Sequence, residues 1–205
     1  MESKDRIKRL LDYKNLLYQL QSLGFVKVFS DNIADALGIS SSLVRKDFAV
    51  FGIVGSQKGG YEIKSVIARI NQVLGKNEIE KIIIVGVGRI GQALMQYSKG
   101  FHEEGIRIIA GFDSDPTKMN GGAEIPVFPI NELHDFIAEN KIKFAIVAVP
   151  EMAARATIEM LKKENIQGIL NFTSLNVKSS DDTTISNVDI EHELAQLIYF
   201  VHNRK

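Results

Sequence analysis

There is no cysteine among the 205 residues, which excludes disulfides, thiolate metal centres and thiol redox switches. No run of eighteen apolar residues occurs, so no membrane-spanning helix is expected. The opening Met1-Glu2-Ser3-Lys4-Asp5 lacks the apolar core of a signal peptide. The simplest expectation is a cytoplasmic globular protein. Histidine is scarce: His102, His134, His192 and His202 are the only four. None falls at a predicted strand end beside a carboxylate, which weakens any reading that needs a general acid or base. No His/Asp/Glu cluster has the spacing of a metal site, and no internal repeat or low-complexity tract is found. Net charge is also lacking, at zero overall, but it is unevenly spread. Residues 1–76 hold 12 Lys/Arg against 7 Asp/Glu, and residues 77–205 hold 13 against 18. A basic N-terminal part beside an acidic remainder hints at nucleic-acid binding.

What is present is centred on Ile82-Ile83-Ile84-Val85-Gly86-Val87-Gly88-Arg89-Ile90-Gly91. Four β-branched residues predict a short strand buried on both faces. A Gly-x-Gly-x-x-Gly follows at once and opens a helical pattern. In a dinucleotide fold the first glycine permits the tight turn, the second admits a pyrophosphate to the backbone, and the third packs helix on strand. The helix N-terminus then offers N–H groups and a positive partial charge to phosphates. A second apolar run, Ile106 to Phe112, ends in Asp113, 22 residues after Gly91, where such a fold carries its ribose-binding carboxylate.

The rest of the chain fits around this motif. Residues 5–22 predict a first helix ended by Gly24. Ser30 is expected to cap a helix over 31–37 that stops at Gly38, and Ser40 to cap another running to about Phe51. A short helix, a glycine turn and a second capped helix make a helix-turn-helix. Arg45 and Lys46 lie in the second of these helices, with Ser41 and Ser42 at its start, while Leu43, Val44 and Phe48 are available to a core. Residues 51–61 read as a β-hairpin with Lys58 at its tip, giving a winged helix. A fourth helix carries Ile63, Val66, Ile67, Ile70, Val73 and Leu74 on one stripe, and 75–78 is the linker candidate. The expected domains are therefore 1–76 and 77–205. In the second, strands over 81–86, 106–112, 143–149 and 168–172 alternate with helices over 91–99, 130–140 and 151–164, which predicts a parallel sheet. Loop 114–128 is expected to wrap its edge. The strand ends at Val149-Pro150 and Asn171-Phe172-Thr173 should both face the cofactor cleft. Finally, 189–203 predicts an amphipathic helix capped by Asp189, placed either on its own sheet or on a partner subunit.

Taken together, these residues resemble the Rex family of bacterial transcriptional repressors, which respond to the NADH/NAD ratio. The likeness runs from about Arg9 to Val201. It rests on Val44-Arg45-Lys46-Asp47-Phe48 with Phe51-Gly52, the glycine motif, Phe112-Asp113-Ser114-Asp115, Val149-Pro150, 168–173 and Val188-Asp189-Ile190-Glu191-His192-Glu193-Leu194. The chain departs from the family pattern at Leu43, Ala49 and Val50 in the recognition helix, at Ser56-Gln57 in the wing, and in the short turn after Thr173.

The resemblance implies an α/β protein with a winged helix-turn-helix domain, a Rossmann-like NAD(H)-binding domain and a C-terminal helix exchanged between the subunits of a homodimer. NADH and NAD are the implied cofactors and double-stranded operator DNA the implied partner, with no metal, membrane or enzymatic role. The cofactor residues would be Gly86, Val87, Gly88, Arg89, Ile90, Gly91, Asp113, Val149, Pro150 and Tyr97. DNA would be met by Ser41, Ser42, Arg45, Lys46 and Lys58. Arg9 and Asp189 match an ion pair that forms in one state only, and Tyr199 and Phe200 would approach the partner's nicotinamide pocket. The competing readings are a nicotinamide-dependent dehydrogenase, or a CoA-binding module with an N-terminal helical domain.

Overall fold

The computed structural model describes residues 4–56, 59–75, 79–120 and 124–204. The chain divides into two compact units, 1–78 and 79–205. The wing tip with Lys58, most of the linker candidate and Gly121-Gly122 lie outside the described residues.

In the first unit, α1 (Lys4–Ser22) leads into β1 (Lys27–Val28), α2 (Ser30–Leu37), α3 (Ser41–Val50), β2 (Tyr61–Glu62) and α4 (Ile63–Val73). Its core gathers Leu10, Tyr13 and Leu17 from α1, Ile33 and Ala34 from α2, Val44 and Phe48 from α3, and Ile63, Val66, Ile67 and Ile70 from α4. Those α4 positions are the stripe expected from sequence. Phe48 anchors the centre, edge-on to Tyr13 at 5.5 Å and to Tyr61 at 4.9 Å, an arrangement favoured by the ring quadrupoles. Ser40 caps α3 as expected, its side chain accepting from Leu43 N at 3.2 Å. The capping role expected of Ser30 is corrected. Ser30 is the first residue inside α2, and Asn32 Oδ1 instead accepts from the Phe29 N–H. The hairpin is also smaller than expected. Ser56 and Gly60 form a single antiparallel bridge, while Tyr61–Glu62 pairs with Lys27–Val28, a strand too short to show any periodicity.

The second unit runs β3 (Glu80–Val85), α5 (Arg89–Gln96), α6 (Ser98–Glu103), β4 (Ile106–Asp113), β5 (Val127–Pro129), α7 (Leu133–Asn140), β6 (Phe144–Val147), α8 (Glu151–Lys163), β7 (Gly168–Asn171), β8 (Thr184–Asn187) and α9 (Ile190–His202). The sheet order is β5-β4-β3-β6-β7-β8, parallel throughout, which is the doubly wound Rossmann order. β3 is buried on both faces. Ile83 and Val85 join Leu133, Ile137, Ile158 and Leu161 on one side, and Ile82 and Ile84 join Leu94, Met95 and Phe101 on the other. Full burial of such side chains contributes about 1.5–3 kcal/mol each, which fixes β3 at the centre of the sheet. Loop 114–128 does more than wrap the edge: it supplies β5, whose Pro129 pairs with Asp113. A proline is tolerated there because the outer side of an edge strand needs no ladder donor. The polar connection after 178 ends in β8, which closes the other edge. Asp189 caps α9 as expected, accepting from His192 N at 2.9 Å.

Candidate functional site

Reversal of the chain's winding direction on either side of β3 opens a crevice beyond the carboxyl ends of β3, β4 and β6, where doubly wound sheets hold ligands. A cleft of about 620 Å³ lies there, lined by Gly86, Gly88, Arg89, Ile90, Asp113 and Lys118 on one side and by Ile130, Val149, Pro150 and Ala153 on the other. The three glycines of the motif sit in three different environments. Gly86 has φ +96, and a Cβ there would lie 2.6 Å from the Ala148 carbonyl. Its N–H donates to Phe112 O at 2.8 Å and Ala148 N donates to Val85 O at 2.8 Å, so the turn is stitched between β4 and β6. At Gly91 a Cβ would lie 2.1 Å from the Gly86 carbonyl oxygen, which is the close packing of helix on strand. Around Gly88 a Cβ would meet nothing within 4 Å. The fold itself therefore does not require glycine at 88, and the open space lies on the cleft, at the N-terminus of α5.

Asp113, at the end of β4, is 8% exposed. Its carboxylate accepts from Val87 N at 2.7 Å, Asp115 N at 3.0 Å and Lys118 Nζ at 2.9 Å. Burial pushes its pKa up, but the N–H of Asp115, the Lys118 ammonium and the N–H of Val87 outweigh that and hold it below the ordinary carboxylate value. Charge-stabilised and partly facing the cleft, it is placed to accept from vicinal hydroxyls.

Of the ten expected cofactor residues, seven line the cleft: Gly86, Gly88, Arg89, Ile90, Asp113, Val149 and Pro150. Gly91 supports from behind, and Val87 gives its N–H to Asp113. Tyr97 follows α5 at its far end, about 12 Å along the helix from the glycine turn at 1.5 Å per residue. It is 66% exposed and stacks edge-on against Phe101 at 5.5 Å, so it does not line its own cleft. Nor does the end of β7. Asn171 is fully buried, donating to Leu175 O at 2.7 Å and Asn187 Oδ1 at 2.9 Å and accepting from Thr173 N at 3.0 Å. It builds the turn into β8 and does not face a ligand. Lys118 was not foreseen. Its signal was the Asp-Pro cap at Asp115-Pro116, which starts the short 3-10 turn carrying it.

The first unit presents a second candidate surface. α3 buries Val44, Asp47 and Phe48 and exposes Ser42, Arg45, Lys46 and Ala49, a stripe at i, i+3, i+4 and i+7 of one helix. Arg45 donates to Ser30 Oγ at 2.8 Å and lies 3.7 Å from Asp31 Oδ1, so its guanidinium leans toward the start of α2. Ser42 Oγ is 3.0 Å from Ser40 Oγ.

Behind the stripe, Asp47 is 1% exposed and accepts from Arg9 Nε at 2.7 Å, Arg9 Nη2 at 2.8 Å and the Tyr13 hydroxyl at 2.8 Å, with Arg6 Nε 3.5 Å away. Burial raises the Asp47 pKa, but Arg9, Tyr13 and Arg6 reverse this and leave it lowered. Arg9 is thus engaged in tying α1 to α3, and Asp189 in capping α9. Sequence reading missed Asp47. The signal was a carboxylate at i+3 from Val44 and next to Phe48, on the face that had to be buried, where a charge requires a cationic partner.

The last helix is exposed throughout. α9 has no buried residue, and Ile190, Leu194, Leu197, Ile198, Tyr199, Phe200 and Val201 are each more than half exposed in the single chain. Tyr199 and Phe200 pack against each other at 5.7 Å. Among the described residues no helix is long and apolar enough to cross a membrane.

Two family models match the chain: "Putative DNA-binding protein N-terminus" over residues 3–49 and "CoA binding domain" over residues 77–175. The redox-sensing transcriptional repressor Rex of Pelotomaculum thermopropionicum is 36% identical over 94% of this chain and 91% of its own length. That of Oenococcus oeni is 33% identical over 96% of this chain and 91% of its own. Among solved structures, RSP in complex with β-NAD+ and operator DNA aligns with a TM-score of 0.92 at 28% identity, covering 98% of this chain and 93% of that one. RSP in complex with β-NADH gives 0.86 at 28% identity, covering 98% and 95%. At this identity and coverage, on top of a winged helix-turn-helix and a Rossmann-ordered sheet, the chain belongs to the family of redox-sensing transcriptional repressors Rex.

Proposed function

We propose that this chain is a cytoplasmic transcriptional repressor, not an enzyme, that holds operator DNA when NADH is scarce and releases it when NADH binds. The observation that carries the cofactor half is the empty surround of Gly88 between two glycines whose surrounds are filled. A ligand approaching the backbone would give glycine a reason at that position. The N-terminus of α5 with Gly86, Gly88, Arg89 and Ile90 would take the pyrophosphate, and Asp113 the adenosine ribose hydroxyls. Bound dinucleotide would supply a nicotinamide that is neutral when reduced and positive when oxidised. The cleft wall of Ile130, Val149, Pro150 and Ala153 penalises burial of the positive form alone, which favours NADH. Among the described residues that line the cleft none is a histidine, and a sensor does not need one there. The CoA-binding reading, which one family model favours, is opposed by Asp113: a carboxylate at the ribose disfavours a 3′-phosphorylated adenosine.

DNA would be met by the exposed stripe of α3, with Arg45 on base edges and Ser41, Ser42 and Lys46 on the backbone, and with Lys58 from the wing. α9 would be exchanged between the subunits of a homodimer. Seven large apolar side chains on one short helix are otherwise left in water, and a patch of that kind marks an interface. Tyr199 and Phe200 would then close the partner's nicotinamide end, and Tyr97 would face the partner. An ion pair of Arg9 with Asp189 in one state would draw Arg9 away from Asp47, which it meets here through Nε at 2.7 Å and Nη2 at 2.8 Å. Selection of bound duplexes from a random pool, followed by gel shift with and without NADH, tests the reading. A palindromic duplex released by NADH is expected, and a protein that enriches no duplex contradicts it.

A further inference from the structure

We propose that Lys118 is a masked phosphate-binding cation, and that its ion pair with Asp113 sets the choice between NAD(H) and its 2′-phosphorylated counterpart. The proposal rests on the reading of the cleft as a dinucleotide site. Asp113 serves three donors, of which two are backbone N–H groups that the fold must satisfy. The third, Lys118 Nζ at 2.9 Å, is a side chain 29% exposed. A local device holds Lys118 there. Asp115 accepts from Thr117 N at 3.0 Å and Thr117 Oγ1 at 2.7 Å, which nucleates the 3-10 turn Pro116–Lys118 and leaves the ammonium above Asp113. Lys118 also forms part of the wall of an adjoining cavity of about 400 Å³, with Gln92, Gln96, Asn120 and Glu124. It therefore borders open space on both sides and can pivot without disturbing the core.

The consequence concerns the adenosine end of the ligand. A lone carboxylate would repel a 2′-phosphate outright, but here an ammonium in contact neutralises much of that charge. Discrimination then depends on the carboxylate keeping the ammonium occupied. Without it, two backbone N–H groups and the Lys118 ammonium lose their anion, with Arg89 a second cation lining the cleft. The carboxylate of Asp115, which also lines the cleft, stays committed to Thr117. The ligand class that would gain is a 2′-phosphorylated adenine dinucleotide.

Titration of the full chain with NADH and NADPH, followed by nucleotide fluorescence, separates the possibilities across wild type, Asp113→Asn, Lys118→Met and the double variant. Wild type should prefer NADH. Asp113→Asn should bind NADPH about tenfold or more tighter than wild type, the scale of one hydrogen bond to a charged group, and the double variant should lose that gain. Lys118→Met alone should weaken NADPH further, read at millimolar concentration by competition with NADH, and should weaken it by a larger factor than it weakens NADH. No NADPH gain in Asp113→Asn, or a gain that persists in the double variant, overturns the proposal. Should thermal melts show that Asp113→Asn does not fold, the Lys118→Met result decides, and NADPH binding unchanged there overturns it. Wild type that binds neither nucleotide refutes the dinucleotide reading itself, and this proposal with it. NADH binding with no role for Lys118 refutes the proposal alone.

Discussion

Replacing Asp47 with asparagine should destabilise the N-terminal unit more than any change on its surface. The carboxylate is 1% exposed and accepts three hydrogen bonds of 2.7–2.8 Å, two from Arg9 and one from Tyr13. The amide keeps the shape but removes the charge, leaving Arg9 unbalanced and the buried Tyr13 hydroxyl in competition for one remaining oxygen. Breaking a buried pair in this way costs about 3–5 kcal/mol. The Arg9 side chain is 25% exposed and regains some hydration, so the lower end, about 3 kcal/mol, applies. For a unit of this size that corresponds to a fall in melting temperature of roughly 12–24 °C, measurable by circular dichroism. Tyr13→Phe removes one bond and leaves both arginines in place, so about 1 kcal/mol is expected. The pH dependence follows from the lowered Asp47 pKa. The stabilisation is complete above the unfolded-state value near 3.9 and is lost as pH falls through the lower native value. Asp47→Asn should therefore show a shallower loss of stability below about pH 4 than wild type. A change below about 0.5 kcal/mol, the range of ordinary surface substitutions, would refute the assignment of this network as the tie between α1 and α3.

Three other outcomes follow from the geometry. Gly88→Ala should melt like wild type but lose NADH affinity, whereas Gly91→Ala and Gly86→Ala should lower the melting temperature, because their new Cβ atoms would sit 2.1 Å and 2.6 Å from backbone; calorimetry with and without NADH separates the two classes. Arg45→Ala should cost about 1–3 kcal/mol of operator binding and relax sequence preference, while Lys46→Ala should mainly flatten the salt dependence, both read by gel shift over a salt series. Truncation before Asp189 should remove the exposed apolar helix and yield a monomer by sedimentation, with operator binding lost alongside.

The Rossmann half was the more legible because its signals are periodic and local. Ile82 to Val85 read as a doubly buried strand, the glycines followed directly, and Asp113 stood at the right distance. β1, β5 and β8 were not legible, since edge strands of two to four residues carry no period and β5 follows Pro126 and ends in Pro129. Long-range pairing was also hidden. Nothing in one sequence links position 9 to position 47, yet Arg9 reaches Asp47, where a charge on the buried face of α3 needs a cationic partner. The same holds for Asn171, whose place at a strand end pointed to the cleft while its amide was taken up by the turn into β8. Side chains satisfied by distant partners are where reading along the chain stops.

Reciprocity between the two ligands tests the central claim most directly. NADH is titrated into the full chain alone and in the presence of saturating operator duplex, and the duplex is titrated with and without saturating NADH. Linkage requires that each ligand weaken the other by the same factor, typically about 5- to 150-fold for coupled sites. Equal factors well above one are predicted. NADH affinity unchanged by operator DNA, with both ligands bound, would contradict the account of this chain as a redox-responsive repressor.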